Sequence, residues 1–185
     1  MKGKNMQKYS KAVQNSLLYS VFVLYVIILF VFLLETWDFF DAGREIHRSI
    51  NLVPLHSITN YLFGEDIGQR GFSFMNVFGN IILFIPLGIY LPLFKRDKRM
   101  GINVLWIFLI SLSVEIIQYI FGIGASDIDD IILNTLGGFI GIAIYKGLLY
   151  LLKDENKTRF AITVVATIIA VPVLFLLTHL KIRVR

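Results

Sequence analysis

Residues 17–34 form an apolar run of eighteen residues without a charge, a glycine or a proline. A helix needs roughly 20 predominantly apolar residues to cross a hydrocarbon core about 30 Å thick. Four further segments approach that length. The second covers about residues 76–94 and contains Pro86 and Pro92. The third, about 102–121, is broken by Glu115. The fourth, about 131–152, is glycine-rich and carries Lys146 near its end. The fifth, about 160–180, contains Pro172. Lipid offers the backbone no hydrogen-bond partner, so such runs fold as helices. The pattern predicts an all-α fold: a polytopic membrane helical bundle of about five transmembrane helices, forming a single membrane domain over residues 1–185. Proline removes a backbone donor and crowds the preceding turn, so the spans that carry it are expected to kink.

The first run is longer than the apolar core of a signal peptide. Glu35, Thr36, Trp37 and Asp38, which follow it, do not resemble a small-residue cleavage site, so it is expected to be retained as a helix. The formal net charge is +5, and its distribution says more than its sum. Lys2, Lys4, Lys8 and Lys11 precede the first run. Lys95, Arg96, Lys98 and Arg99 separate the second from the third, and Lys146, Lys153, Lys157 and Arg159 surround the loop after the fourth. With five crossings, these twelve of the eighteen basic residues fall on one side. The positive-inside rule makes that side, and the N-terminus, cytoplasmic. Lys181, Arg183 and Arg185 oppose this assignment, because they place basic charge at the other side. Basic clusters set between apolar runs also argue against a nucleic-acid partner. The absence of cysteine excludes disulfides, thiolate metal sites and cysteine nucleophiles.

The long connection, residues 35–75, mixes Glu35, Asp38, Asp41, Glu45, Glu65 and Asp66 with three arginines and many apolar residues. It is expected to lie on the membrane or to dip into it under cover of protein. Ile46 and Ile50, four residues apart, suggest a short interfacial helix.

Polar residues inside or beside the spans are the candidates for chemistry. Glu115 lies within the third run, and a carboxylate facing lipid costs about 2.5–3.5 kcal/mol. Ser111 and Gln118, at i−4 and i+3, share its helix face. The structural alternative is interhelical glue. Gly122 and Gly124 end that helix, and Asp127, Asp129 and Asp130 open the next one. Acidic residues suit a helix N-terminus, and Ser126 or Asp127 can cap it, so capping is the plain reading for one aspartate. It explains three less well. Asp127, Asp130 and Asn134 follow an i, i+3, i+7 spacing and share a face, from which Asp129 is expected to diverge. Asn80, about one turn into the second span, needs a polar partner, and Gly79 beside it is expected to admit another helix closely. Arg48 in the long connection can grip a carboxylate or phosphate bidentately. Under the five-span topology all these residues fall on the outer side, with Glu115 roughly 9 Å from its helix end. There is no glycine-rich phosphate loop, no HExxH and no Gly-x-Ser-x-Gly. His47, His56 and His179 lack metal-ligand spacing. The oxygen donors would suit a hard divalent cation, the one candidate cofactor.

Four runs carry a family resemblance. They are Arg48-Ser49-Ile50-Asn51-Leu52-Val53-Pro54, Gly79-Asn80-Ile81-Ile82-Leu83-Phe84-Ile85-Pro86-Leu87-Gly88, Ser113-Val114-Glu115-Ile116-Ile117-Gln118, and Asp127 to Gly138. In that order, over about residues 44–145, the chain resembles the VanZ-like family. The helix at 160–180 lies beyond the resemblance. The family implies a protein of the bacterial cytoplasmic membrane, and its namesake is associated with resistance to teicoplanin-type glycopeptides. Its polar positions map onto Arg48, Asn80, Glu115, Gln118, Asp127, Asp129, Asp130 and Asn134. Many members carry an aromatic or basic residue just before the aspartates, where this chain has Ala125-Ser126.

Three functions follow as expectations. The favoured one is an envelope factor that acts on or binds lipid-linked cell-wall precursors. Glu115, Asp129 and Asp130 would be its catalytic candidates, and Arg48, Asn80, Gln118, Asp127 and Asn134 its ligand-binding ones. The second is a transporter or flippase for a lipid-linked or small anionic solute, which at this size calls for a homo-oligomer. The third is a non-catalytic scaffold or sensor. Membrane lipid is a partner in all three.

Overall fold

A computed structural model describes residues 2–33, 49–63, 67–95, 98–123 and 125–183. Among these residues there are six helices and one pair of short strands. In chain order they are α1 (Lys2–Leu33), β1 (Ser49–Asn51), α2 (His56–Phe63), α3 (Ile67–Phe94), α4 (Met100–Phe121), β2 (Ala125–Asp127), α5 (Ile128–Leu152) and α6 (Glu155–Arg183). Five helices are long and apolar enough to cross a membrane, through Lys11–Leu33, Ser73–Phe94, Met100–Phe121, Ile128–Leu152 and Glu155–Phe175. The predicted all-α polytopic architecture is therefore what the chain adopts. Large apolar side chains such as Val23, Phe30, Leu105, Phe139 and Ile168 stay exposed along these helices, as lipid-facing residues do. The second helix begins well before residue 76, and helix continues through Pro86, Pro92 and Pro172.

The chain divides into two compact units, Met1–Ile28 with Leu148–Arg185, and Leu29–Gly147. In the first, Leu18, Thr158 and Thr163 are buried, and Arg159 donates to Asn15 Oδ1 at 3.3 Å. Lys153 turns the chain with φ 51°. Asp154 then caps α6, its Oδ1 accepting from the backbone N–H of Asn156 at 2.7 Å and of Lys157 at 3.0 Å. Both bonds satisfy amides that have no partner inside the helix.

The second unit holds the polar residues singled out above. Its core contains Phe84, Ile107, Leu133, Ile142 and Tyr145. The approach of α5 to α3 and α4 depends on glycine. A Cβ at Gly137 would overlap the Ile81 carbonyl, and one at Gly141 the Ile85 carbonyl. At Gly138 it would strike the Ile107 side chain, and at Gly88 the Gly138 carbonyl. Gly137 and Gly141 are four apart, the small-residue spacing that lets membrane helices meet backbone to backbone. Gly79, expected to play that part, has no described atom within 4 Å of where its Cβ would stand. The close contact falls further along α3, from Ile81 to Gly88, where the facing helix supplies Gly137, Gly138 and Gly141.

The strand pair holds the middle of the long connection against the α4–α5 turn. β1 runs parallel to β2, with Ser49 opposite Ala125 and Asn51 opposite Asp127. Ile50 is therefore in a strand. The interfacial helix expected around Ile46 and Ile50 is not what forms at Ile50, because its backbone is committed to the ladder, and Ile46 lies outside the described residues. Helix appears instead at α2, where Tyr61 meets Phe74 and Phe78 of α3 with ring centroids 5.6 and 6.2 Å apart.

Candidate functional site

The α4–α5 turn places the acidic residues. Gly122, at φ 59° and ψ 42°, ends α4 in a left-handed conformation that glycine adopts without steric penalty. The N–H of Ile123 returns to the Gln118 carbonyl at 2.9 Å and that of Gly122 to Tyr119 at 3.3 Å, the two bonds that close a Schellman motif. After β2 the chain re-enters helix at Ile128. Asp127 is the cap, its Oδ1 accepting from the Asp129 N–H at 2.9 Å. Asp129 and Asp130 occupy the first turn, where the helix dipole favours negative charge.

The buried stripe of α4 is Asn103, Ile107, Ser111, Glu115 and Gln118, and it carries polar groups to the same place in layers. Asn134 of α5 donates to Ser111 Oγ at 2.9 Å. One turn nearer the α4–α5 turn come Glu115 on α4 and Asp130 on α5. Glu115 Oε2 accepts from the Asp127 N–H at 2.9 Å, and Ser126 Oγ donates to the Glu115 carbonyl at 3.2 Å. Asp130 Oδ1 accepts from Asn80 Nδ2 of α3 at 2.6 Å. Asn76, one turn earlier on α3, also reaches that carboxyl. Asp127 Oδ2 accepts from Asn51 Nδ2 of β1 at 3.1 Å. Asp129, 1% exposed, accepts from the backbone N–H of Leu55. Leu55 stands at φ 65°, a conformation uncommon for a leucine and characteristic of constrained sites.

Glu115, Asp127, Asp130, Asn80 and Asn134 thus come together from α3, α4 and the β2–α5 junction, and β1 closes the group through Asn51, while the Asp129 carboxyl is directed to the Leu55 N–H. Glu115, Asp127 and Asp129 are all within electrostatic reach of Asp130. Gln118 is directed elsewhere: it donates to the Leu33 carbonyl at the end of α1 at 2.6 Å, as interhelical glue would. Arg48 lies outside the described residues. Asn51, Asn76 and Ser111 had not been singled out as site residues. Asn76 and Ser111 carried a signal, being one turn from Asn80 and Glu115 on the same faces. Asn51 and the Leu55 N–H had none, because strand pairing across the long connection brings them in.

Among the described residues, no Lys, Arg or His bears on the carboxyl of Glu115 or Asp130. No group of three or more His, Asp or Glu among the described residues is arranged to hold a metal ion. The arrangement can accept hydrogen bonds, hold a positive charge and exchange protons.

Comparison with known proteins points one way. A family model described as VanZ/LLP1 matches residues 17–153. Protein VanZ of Enterococcus faecium is 35% identical over 136 residues, which cover 74% of this chain and 76% of that protein. No solved structure matches the chain.

Proposed function

The chain belongs to the VanZ/LLP1 family, and on that premise we propose that it lowers susceptibility to teicoplanin-type glycopeptides from the bacterial cytoplasmic membrane, its carboxylate–amide cluster binding an envelope lipid intermediate. One observation carries the reading. Four segments far apart in sequence, all inside the family match or closing onto it, converge on Glu115 and Asp130 through Asn51, Asn80, Asp127 and Asn134. Simple capping of α5 needs Asp127 and leaves the rest unexplained.

The N-terminus is cytoplasmic in this account, in keeping with the twelve basic residues gathered on that side. The cluster then opens towards the outer leaflet, where glycopeptides and cell-wall precursors meet. A lack of cysteine makes the topology easy to test. Exposed Ala125→Cys should react with a membrane-impermeant maleimide in intact cells, and Asn156→Cys only after permeabilisation; the reverse pattern would sink the outer-leaflet placement. Function is tested by expressing the chain in a teicoplanin-sensitive bacterium. Protection relative to an empty vector supports the proposal, and unchanged susceptibility at confirmed membrane expression contradicts it.

The transporter reading has less support. The α3–α5 contact is backbone to backbone at Gly137 and Gly141, which closes that interface as a route through one copy of the chain.

A further inference from the structure

We propose that residues 52–63, the segment that ends in α2, form an interfacial foot whose exposed apolar side chains lie among the acyl chains of the leaflet holding the α4–α5 turn. The partner of this surface is the bilayer itself. The inference stands apart from the function proposed above, and it holds whichever side of the membrane that leaflet faces.

Depth comes first. The second membrane-crossing stretch runs from Ser73 to Phe94. Tyr61 of α2 meets Phe74 and Phe78, and both belong to that stretch. Phe78 stands five residues past Ser73, about 7.5 Å along the helix at 1.5 Å per residue. So α2 packs against the side of a span and not beyond its end. Beside these rings α3 presents Met75 and Ile82 outward, 70% and 60% exposed, as a lipid-facing surface does. Leu62 and Phe63 follow Tyr61 directly and are exposed too, Phe63 at 78%. They continue the apolar face of α3 and meet the same medium.

The backbone supplies an independent observation. A segment that does not span the membrane is tolerated at the hydrocarbon edge where its polar backbone groups are bonded within the protein. Leu52, Val53 and Leu55 expose their side chains, yet the backbone donors beside them are engaged. The Val53 N–H donates to Asn51 Oδ1 at 3.1 Å, Pro54 has no N–H, and the Leu55 N–H donates to Asp129. Within α2 the Thr59 N–H reaches the Leu55 carbonyl at 2.8 Å, and its hydroxyl donates to the His56 carbonyl at 2.9 Å. Apolar side chains outward with N–H groups turned inward is the arrangement lipid requires and water does not.

Ties at both ends set the depth of the segment. Asn51 is bonded to Asp127 and the Leu55 N–H to Asp129 at the start of α5, while the Tyr61 ring holds the far end against α3. Among the described residues, the exposed polar side chains of α2 are His56 and Thr59, both in its N-terminal half. Its C-terminal end, at Leu62 and Phe63, is apolar. Interfacial helices bury such an apolar part at the boundary between headgroups and acyl chains. A second copy of the chain is the rival occupant, and the continuity with α3 favours lipid over it.

The test uses the full-length chain in liposomes of phosphatidylethanolamine and phosphatidylglycerol. Because the chain has no cysteine, a single nitroxide label can be placed at Leu52→Cys, Leu62→Cys or Phe63→Cys, with Ile82→Cys as the lipid-facing reference and Asn156→Cys as the aqueous one. All five positions are exposed, and each labelled protein is required to melt at the native temperature. Power-saturation electron paramagnetic resonance then compares collision with oxygen, which concentrates in hydrocarbon, and with a water-soluble nickel chelate. The oxygen-to-nickel ratio at all three foot positions should shift from the Asn156 value to that of Ile82. A ratio equal to that of Asn156 at either end of the segment would overturn the proposal. Low accessibility to both reagents would show protein covering the surface, as in an oligomer, and would overturn it as well.

Discussion

Asn80 of α3 donates to Asp130 of α5 at 2.6 Å, a bond between residues fifty positions apart that ties the second and fourth spans at the carboxylate cluster. A hydrogen bond to a charged group contributes more than a neutral one. Asn80→Leu should therefore lower the unfolding free energy by about 1–2 kcal/mol, read as a lower melting temperature in detergent. An unchanged melting temperature would mean that Asn76 alone suffices for Asp130.

Glycine packing makes a separable prediction. Gly137→Ala and Gly141→Ala drive a Cβ into the Ile81 and Ile85 carbonyls, and each should destabilise by about 1–3 kcal/mol. Gly147 has no described atom within 4 Å of a Cβ, so Gly147→Ala should be neutral or stabilise by up to about 1 kcal/mol through helix propensity. Thermal unfolding of the three variants side by side checks the contrast.

Strand pairing predicts a local effect. Asn51 bonds Asp127 beside the β1–β2 ladder. Asn51→Ala should raise amide hydrogen exchange at residues 49–51 and 125–127 and leave α4 protected. Asn51→Asp should do so more strongly, since it sets a like charge against Asp127. Exchange unaltered in both variants would show that the ladder holds without this side chain.

Asp154 offers a pH test outside the spans. The backbone N–H groups of Lys157 and Asn156 hold its carboxyl below the usual aspartate range. A depressed folded-state pKa contributes stability above the unfolded value and loses it as pH falls through the folded one. Asp154→Ala should therefore melt at a lower temperature than the native chain at neutral pH, and the gap should close on acidification. A gap that persists in strong acid would contradict the cap.

The five spans were legible because lipid imposes one requirement, a long apolar helix, and hydropathy reports it directly. Glu115, Asp130 and Asn80 were legible for the converse reason: polar groups in apolar runs stand out. The strand pair was not, because three-residue strands leave no periodic signal and their pairing joins segments 76 residues apart in sequence. Nor could hydropathy choose between Gly79 and Gly137 as the contact glycine, since that depends on which face of α5 meets α3. Gln118 sits on the polar face of α4 as the spacing required, yet it bonds the end of α1, a partner no spacing along α4 can reveal.

The central claim is that the cluster performs the function as well as joining helices. Teicoplanin susceptibility tests it most directly, in a sensitive bacterium carrying the native chain, Glu115→Gln or Asp130→Asn at matched membrane levels. Both substitutions keep side-chain size and hydrogen-bonding ability while removing the charge. The account predicts that the native chain protects and that each variant loses most of that protection. Full protection by both variants would contradict it and leave the carboxylates as interhelical contacts.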